Sequence, residues 1–388
     1  MAHFAGRTRP GELRIAKDTD LNTLRRLIYG EVLYAVAFVT LGFLALFFFF
    51  DFVEEVQAVS RYSAAGYRIV HALSYVGLMI PSHLYELLPI AVLIGTIFVM
   101  ARFAQSSEFT ILRTSGLGPW RALRALLLLG FGFVLLTFAV GDYLAPPADR
   151  AAQLLKARYQ GSITVGQTGV WLKEQQTNAQ YAVNVGAMAP DGSMGNVRIF
   201  EFDNQGFLMS TLQAQSAQFG PDDAWLLSRV NRTEFPVRGT DTARIDRAKL
   251  DSLRWPNQIS AEMVAAALLK PERMSTIDLF QYIRHLQANS QTAQRYEIEF
   301  WKKVFYPLSC LVMVVLALPF AYLHFRSSGI ATYVFGGVMA GISFFLLNNV
   351  FGYMGNLQNW QPWLTAALPG MIYLVLSLTA FGWLVLRR

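Results

Sequence analysis

Six long apolar stretches, three toward each end of the chain, constrain this sequence more than any other feature. They cover about residues 31–50, 83–101, 119–140, 303–323, 330–351 and 363–386. Each is close to the roughly 20 residues that a helix needs to cross the hydrocarbon core of a bilayer. Because lipid offers no partner to a backbone amide, a spanning segment must form its hydrogen bonds internally, as a helix does. The sequence therefore predicts six transmembrane helices in a 3+3 arrangement.

The composition favours a membrane protein over a soluble enzyme. Of the 388 residues, 54% are hydrophobic and 15% are charged, whereas a soluble domain carries about 25% charged residues. The formal net charge is +7, and in a membrane chain such an excess of Lys and Arg first sets topology. We therefore expect no nucleic-acid partner. The single cysteine, Cys310, excludes an intramolecular disulfide.

The positions of the basic residues predict the orientation of the chain. Arg25 and Arg26 precede the first span, Arg387 and Arg388 close the chain, and other basic residues lie between spans two and three and between spans four and five. By the positive-inside rule these four segments, and hence both termini, are cytoplasmic. The charged leader before the first apolar run predicts an uncleaved anchor rather than a signal peptide. The long link after the third span then lies outside the cytoplasm.

That link, residues 141–300, has the sequence pattern of a β domain. Five short, partly alternating segments rich in β-forming residues are separated by turn-forming residues, at 170–172, 181–185, 197–202, 208–219 and 225–235. Their spacing of about ten residues predicts a sandwich or an open jelly roll. The chain therefore divides into an N-terminal transmembrane half (1–140), a β domain (141–300) and a C-terminal transmembrane half (301–388).

Helices are predicted on both sides of the β segments. Residues 146–158 read as one helix, with a proline near its start. Near the exit, Ser275 and Asp278 form a capping pair, and the apolar residues that follow at helical spacing share one face.

The link between spans two and three, residues 105–116, predicts a short amphipathic helix. Glu108 favours the positive N-terminal end of such a helix, and Gly116 suits a left-handed cap at its other end. Phe109 and Leu112 lie three residues apart, so one face combines an acid with apolar groups. Two interpretations stay open: the helix lies on the lipid headgroups, or it docks into a groove of a soluble partner.

No enzymatic motif stands out in this sequence. It contains no phosphate-binding loop, no G-x-S-x-G and no H-E-x-x-H. We therefore predict no catalytic and no metal-ligating residues, and if the protein uses ATP, another chain must bind it. Besides a transporter subunit, two other classes of protein remain open. One is a membrane-embedded lipid-modifying transferase at the periplasmic leaflet, and the other is a scaffold whose β domain binds proteins.

Four stretches, in order along the chain, carry a resemblance to a known family. They are Ala104-Gln105-Ser106-Ser107-Glu108 with Thr114-Ser115-Gly116, then Gly141 to Pro146, Gln167 to Lys173, and Arg295 to Ser309. Their order, together with the plan of three spans, a β domain and three spans, resembles the LptF/LptG permeases of the lipopolysaccharide export ABC transporter. The match is better to the LptG branch than to the LptF branch, and it covers nearly the whole chain.

The resemblance implies an α-helical membrane protein with six transmembrane helices and a periplasmic β-jelly-roll domain inserted between helices 3 and 4. It places the protein in the inner membrane of a Gram-negative bacterium. It implies an LptF heterodimer partner, an LptB ATPase dimer that binds ATP and magnesium, LptC, and a periplasmic LptA bridge. The chain itself would hold no cofactor and extract lipopolysaccharide from the outer leaflet of the inner membrane.

The resemblance and the residue types also suggest functional positions. Four residues of the 105–116 helix would couple to the ATPase: Glu108, Phe109, Leu112 and Arg113. Four aromatic residues could line an apolar cavity between spans one and five: Phe47, Phe50, Phe344 and Phe345. Three cations could meet lipid phosphates at the outer rim: Lys156, Lys302 and Lys303.

Simpler interpretations of these positions stay open. The aromatic residues could be ordinary packing or lipid-facing side chains, and the lysines could be anchors that extend to the membrane surface. At three positions where relatives carry lysine, this chain has Asp51, Gln57 and Ser82. We assign no role to Glu86.

Overall fold

The protein was analysed as a computed structural model, which describes most of the chain. The described residues are 10–106, 119–160, 169–176, 179–189, 191–220, 224–236, 245–257, 259–260, 263–264, 271–322 and 329–383. Within the first helix, residues 10–25 are described by their backbone alone.

The described part contains long helices on both sides of a block of strands. The helices are α1 (Pro10–Arg61), α2 (Ile69–Gln105), α3 (Pro119–Ala139), α4 (Ala145–Gln160), α5 (Thr276–Ala288), α6 (Gln294–Phe305), α7 (Ser309–Ala317), α8 (Ile330–Leu357) and α9 (Pro362–Phe381). Short 3₁₀ turns cover Ser63–Ala65, Pro271–Arg273 and Leu318–Tyr322, and a π turn covers Val140–Leu144. The strands are β1 (Val170–Gln175), β2 (Gln180–Met188), β3 (Met194–Phe202), β4 (Leu208–Gly220), β5 (Ala224–Glu234) and β6 (Asp246–Pro256).

The chain forms two compact units. The first contains Met1–Phe47, His83–Val140 and Trp301–Arg388, and the second contains Phe48–Ser82 and Gly141–Phe300. The residues of α1 from Phe48 onward and the first residues of α2 therefore group with the β domain. The division of the chain by the membrane itself stays a prediction.

In the first unit, α2 is far more buried than α1 or α8. Of its apolar window, 83% is buried, against 22% for α1 and 17% for α8. Buried apolar residues from several helices form the core around it, among them Val32 of α1, Leu88, Val99 and Phe103 of α2, Leu126 of α3 and Val314 of α7. Within the described residues, most of the apolar surface of α1 and α8 is therefore uncovered.

The predicted number of six transmembrane spans is confirmed only in part. Five of the described helical segments are long and apolar enough to cross a membrane, and α6 with α7 makes a sixth only if this bent pair counts as one span. The two helices meet at 46°, at the break that contains Pro307. Proline has no amide hydrogen and its ring clashes with the preceding helical turn. Here the backbone continues through i to i−3 bonds, such as Ser309 N to Tyr306 O at 3.0 Å.

In the second unit, the six strands form one antiparallel meander in the order β1-β2-β3-β4-β5-β6. Trp225 pairs with Trp255, and Leu227 pairs with Leu253. Alternate residues of each strand point to one face, as the period of a strand requires, so Val183 and Val185 are buried together. The jelly-roll topology stays a prediction, because the described strands show the meander.

Helix α5 covers the buried face of the sheet. Leu279, Ile283 and Leu286 join the sheet residues in one core. The predicted capping box is confirmed, because the Ser275 side chain accepts from the Asp278 amide and Asp278 accepts from the Ser275 amide. The predicted helix at 146–158 is confirmed as α4.

Candidate functional site

Large apolar side chains cover the outward faces of α1 and α8. On α1, Tyr34, Phe38 and Leu41 are exposed at i, i+4 and i+7 spacing. On α8, exposed residues follow one stripe along the whole helix: Phe335, Met339, Ile342, Leu346, Val350, Tyr353 and Leu357. In water such surfaces would be unfavourable. They are therefore fitted to lipid, to the acyl chains of a ligand or to another membrane helix.

The four predicted cavity residues fall in different environments. Phe50 is 60% exposed and Phe345 is 39% exposed. Phe47 is half-buried, with its ring 5.1 Å from that of His83. Phe344 is buried at 2%, because it packs against Tyr306 and Tyr373 at ring distances of 6.3 and 5.1 Å. The rings of Phe50, in the second unit, and Phe345, in the first unit, are thus accessible, whereas Phe344 is covered by its neighbours within the first unit.

Lys302 and Lys303 lie side by side on α6 but point to different helices. The ammonium of Lys302 rests over Gly352 of α8, where a Cβ would lie only 2.6 Å from Nζ. Lys303 is buried at 8%, with its ammonium 5.5 Å from the centre of the Tyr85 ring. Such a position over a ring is favourable for a cation. The structure therefore brings both amines to the junction of α6 with its neighbours in the first unit.

Lys156 of α4 is held by a buried carboxylate. Its Nζ donates to Oε2 of Glu55 at 2.8 Å and lies 4.5 Å from the centre of the Tyr75 ring. The other oxygen of Glu55 accepts from the Tyr67 hydroxyl at 2.9 Å. Burial, together with the Glu55 carboxylate, raises the pKa of Tyr67, so this hydroxyl keeps its proton and remains a donor. Glu55 is only 4% exposed, and these two donors compensate its buried charge.

A small polar cavity adjoins this ion pair. It has a volume of about 160 Å³ and is lined by Glu54, Glu55, Gln57, Ala58, Arg61, Tyr62 and Lys156. Two acids and two bases line it, so it is not a simple anion site. Gln57 is part of this lining.

An aromatic cluster of Tyr67, His71 and Tyr159 adjoins the Glu55 carboxylate. The Tyr159 hydroxyl lies 2.9 Å from Nε2 of His71, and the Arg68 amide donates to Nδ1 of the same ring at 3.1 Å. Tyr67 packs on Tyr159 with a ring distance of 5.3 Å. These contacts fix α4 against the adjoining ends of α1 and α2 within the second unit.

The four predicted coupling residues, Glu108, Phe109, Leu112 and Arg113, lie outside the described residues. Helix α2 ends at Gln105 and α3 begins at Pro119, so both flanks of this segment are helical. Their role stays a prediction.

Ser82 and Glu86, two positions singled out in the sequence, each make a defined hydrogen bond. The Ser82 hydroxyl donates to Oδ2 of Asp149 at 2.9 Å, so it serves local structure. The backbone carbonyl of Glu86 accepts a hydrogen bond from the Tyr306 hydroxyl.

Sequence reasoning missed the ion pairs of the described residues, and two of these pairs involve α1. Glu55 carries no motif, and its partner lies 101 residues away. Glu31 of α1 and Arg102 of α2 form the other pair at 2.7 Å. Neither pair has a local spacing signal, because helices far apart in the sequence supply the two charges.

The described residues contain no group of three or more His, Cys, Asp or Glu that could hold a metal ion. Long apolar helices with large uncovered faces, combined with an antiparallel six-stranded sheet, instead define a multi-pass membrane protein of permease type with a β domain. The sequence model of one family, the lipopolysaccharide export system permease LptF/LptG, matches residues 26–386. The chain belongs to this family.

Curated relatives agree with this assignment. The lipopolysaccharide export system permease protein LptG of Escherichia coli strain K12 is 27% identical over 363 residues, which cover 92% of this chain and 97% of that protein. LptG of Haemophilus influenzae strain Rd is 26% identical over 371 residues, covering 95% of this chain and 99% of that protein. The likeness therefore extends over the helices and the sheet alike.

Proposed function

We propose that this chain is the non-hydrolysing membrane subunit of an ABC transporter that extracts lipopolysaccharide from the outer leaflet of the inner membrane. The observation that carries the proposal is the family match over residues 26–386. The partners would be an LptF subunit, an LptB dimer that binds ATP and magnesium, LptC and a periplasmic LptA bridge. Both termini would be cytoplasmic and the sheet periplasmic.

Extraction of such a lipid needs an external energy source. Each buried methylene stabilises a lipid in the membrane by about 0.8 kcal/mol, so one acyl chain of about fourteen carbons holds it by roughly 10 kcal/mol. A lipid with several chains does not leave unaided on a useful timescale. A protein that extracts it must offer an alternative apolar surface and then remove that surface in a driven step.

The uncovered faces of α1 and α8 support this role. They present long, continuous apolar surfaces, including the exposed rings of Phe50 and Phe345. Acyl chains can exchange membrane lipid for these faces at little cost, since both are apolar. A change in the position of the partner subunit would then compress the space and expel the lipid.

Lys302 and Lys303 are the proposed phosphate contacts of this subunit. Their amines are anchored against α8 and Tyr85, so less side-chain entropy is lost when a phosphate binds. Lys156 is a weaker candidate, because a phosphate there must compete with the carboxylate of Glu55.

Cross-linking tests the phosphate contacts. Replacement of Lys302 or Lys303 by Gln should reduce photo-cross-linking of lipopolysaccharide to a probe at Phe345, because each change removes one positive charge at the rim. A Lys249→Gln variant in β6 is the matched control for loss of a lysine. Equal cross-linking in all three variants would assign Lys302 and Lys303 to anchoring alone.

Affinity purification of the full chain tests the proposed function. The chain should co-purify with an ATPase subunit and retain lipopolysaccharide, and Glu108→Ala should lower ATPase recovery while leaving membrane insertion intact. Full ATPase recovery with Glu108→Ala would remove Glu108 from the coupling role. If the wild-type chain recovers neither an ATPase nor lipopolysaccharide, the proposed function is wrong.

A further inference from the structure

The N-terminal part of α1, between Glu31 and Val36, contacts α2 closely at two positions. At the first, a Cβ built on Gly95 would lie 2.8 Å from the backbone nitrogen of Val36 and 2.9 Å from its Cα. The two helices therefore touch backbone to backbone, which only glycine permits here. At the second position, Arg102 donates to Oε2 of Glu31 at 2.7 Å.

The two positions follow one another along an antiparallel pair of helices. Arg102 comes seven residues after Gly95, and Glu31 comes five residues before Val36, so about two turns of α2 oppose about one and a half turns of α1. Between them, Val32 and Val99 are buried in one apolar core, and Phe103 of the same core follows directly after Arg102. The contact is thus continuous from the glycine to the ion pair.

The ion pair occupies the end of α2 that leads into the predicted coupling segment. Arg102 lies three residues before Gln105, where α2 ends. Glu31 lies on a helix that continues without interruption to Arg61. The C-terminal end of α2 is therefore in direct contact with α1 through this ion pair.

We infer that Glu31 and Arg102 are positioning residues that make α1 move together with α2 when the ATPase displaces the coupling segment. The inference rests on the proposed function and deepens it, because it names the contact that carries the movement. Both side chains remain partly exposed, at 38% and 41%. An ion pair of this exposure contributes little to stability, so its loss should affect the coupling rather than the fold.

Charge reversal and exchange test the inference. The variants are Glu31→Arg, Arg102→Glu, and the double exchange Glu31→Arg with Arg102→Glu, each in the complete complex with its ATPase. Arg124→Glu on α3 is the matched control, since it reverses an exposed arginine that has no part in this contact. The two readouts are ATP hydrolysis and ATP-dependent transfer of lipopolysaccharide from proteoliposomes to the soluble periplasmic acceptor.

Each single reversal should retain assembly and hydrolysis but lower transfer by about fivefold or more, the lower range of coupling effects between sites. The double exchange should restore transfer, because it re-forms the pair with the opposite polarity, and Arg124→Glu should resemble the wild type. Wild-type transfer in both single variants, or no recovery in the exchange, would overturn the inference. A wild-type complex that hydrolyses ATP without any transfer would instead overturn the proposed function, and the inference would fall with it.

A distance measurement tests the contact between α1 and α2 independently of lipopolysaccharide transfer. Spin labels at exposed positions on the two helices, Leu33→Cys and Phe98→Cys, report the separation of α1 from α2, while the native Cys310 is buried. The distance distribution should be narrow in the wild type and in the double exchange, and broader in Arg102→Glu. Identical distributions in all three would show that the pair does not hold the helices together.

Discussion

Glu55 illustrates how a buried charge organises its surroundings. The carboxylate is almost wholly removed from water, and its stability depends on Lys156 and Tyr67. Removal of one partner from a buried pair is more destabilising than removal of both, because the remaining charge is left uncompensated. The three residues join α1, α4 and the segment between α1 and α2.

Lys156→Met should therefore destabilise the protein by about 1–3 kcal/mol, somewhat less than the loss from a fully buried pair, since part of the lysine side chain meets water. The double variant Glu55→Gln with Lys156→Met should recover much of this loss. Thermal unfolding of the detergent-purified chain measures both effects. A double variant less stable than Lys156→Met alone would contradict the assigned pairing.

We expect His285 to make the sheet unit sensitive to acid. Burial lowers the pKa of His285 below its ordinary value of 6.5, and its buried Nε2 has no hydrogen-bond partner among the described residues. The folded state therefore holds the neutral ring, while the unfolded state binds a proton near the ordinary value. The contribution of His285 to stability is thus fully present above pH 6.5 and falls as the pH decreases toward the lowered pKa.

We expect the melting temperature of the wild type to fall more between pH 7.5 and 5.5 than that of His285→Gln, which cannot be protonated. Far-ultraviolet circular dichroism on the full chain checks this difference. An equal fall in both proteins would show that other groups cause the acid sensitivity.

The roles of single residues could be predicted only where the sequence holds a local signal. Ser275 and Asp278 were predictable because a capping box needs a fixed spacing of three residues. Glu55 and Glu31 were not, because each pairs with a charge on another helix and a single sequence does not encode that proximity. For Lys156, the sequence predicted an outward cation, but not the carboxylate that engages it.

At the scale of elements, helix contacts in the first unit depend on small residues. Gly95 lets α2 approach the backbone of α1 at Val36, whereas a Cβ on Gly77 of the same helix would meet nothing within 4 Å. Replacement of glycine by alanine at these two positions therefore distinguishes the effect of helix propensity from the effect of helix packing on stability.

Gly95→Ala should destabilise the protein by about 1–3 kcal/mol, because the clash is with backbone and the helices must move apart. Gly77→Ala should leave stability unchanged or raise it by up to about 1 kcal/mol, as alanine favours a helix. Thermal unfolding in detergent compares the two. A Gly95→Ala variant as stable as Gly77→Ala would show that the close approach does not matter.

Most elements followed from periodicity, and the exceptions have physical causes. Five strands were predicted because apolar residues alternate along them, but β6 was missed because its sequence is charged and mostly exposed, as an edge strand can be. The span predicted at 303–323 is broken, since Pro307 interrupts the helix. Helices α1 and α2 extend beyond the predicted spans because hydropathy reports lipid contact, whereas the helix continues into residues that group with the sheet unit.

At the scale of the whole molecule, the two units contain different structural features. The first unit carries α8 and the apolar face of α1 up to Phe47, and the second carries the rest of α1, the sheet and the Glu55–Lys156 pair. The fold class could be predicted from hydropathy and strand pattern. Hydropathy does not encode the number of spans or the sheet topology, because the first depends on the bend at Pro307 and the second on long-range strand pairing.

The most direct test of the central claim is reconstituted transfer of lipopolysaccharide. Proteoliposomes that contain this chain, its partner permease and the separate ATPase should deliver lipopolysaccharide to the soluble periplasmic acceptor only when ATP is present, and this chain alone should hydrolyse no ATP. Hydrolysis of ATP by the purified chain itself, or equal transfer from vesicles that lack it, would contradict the account.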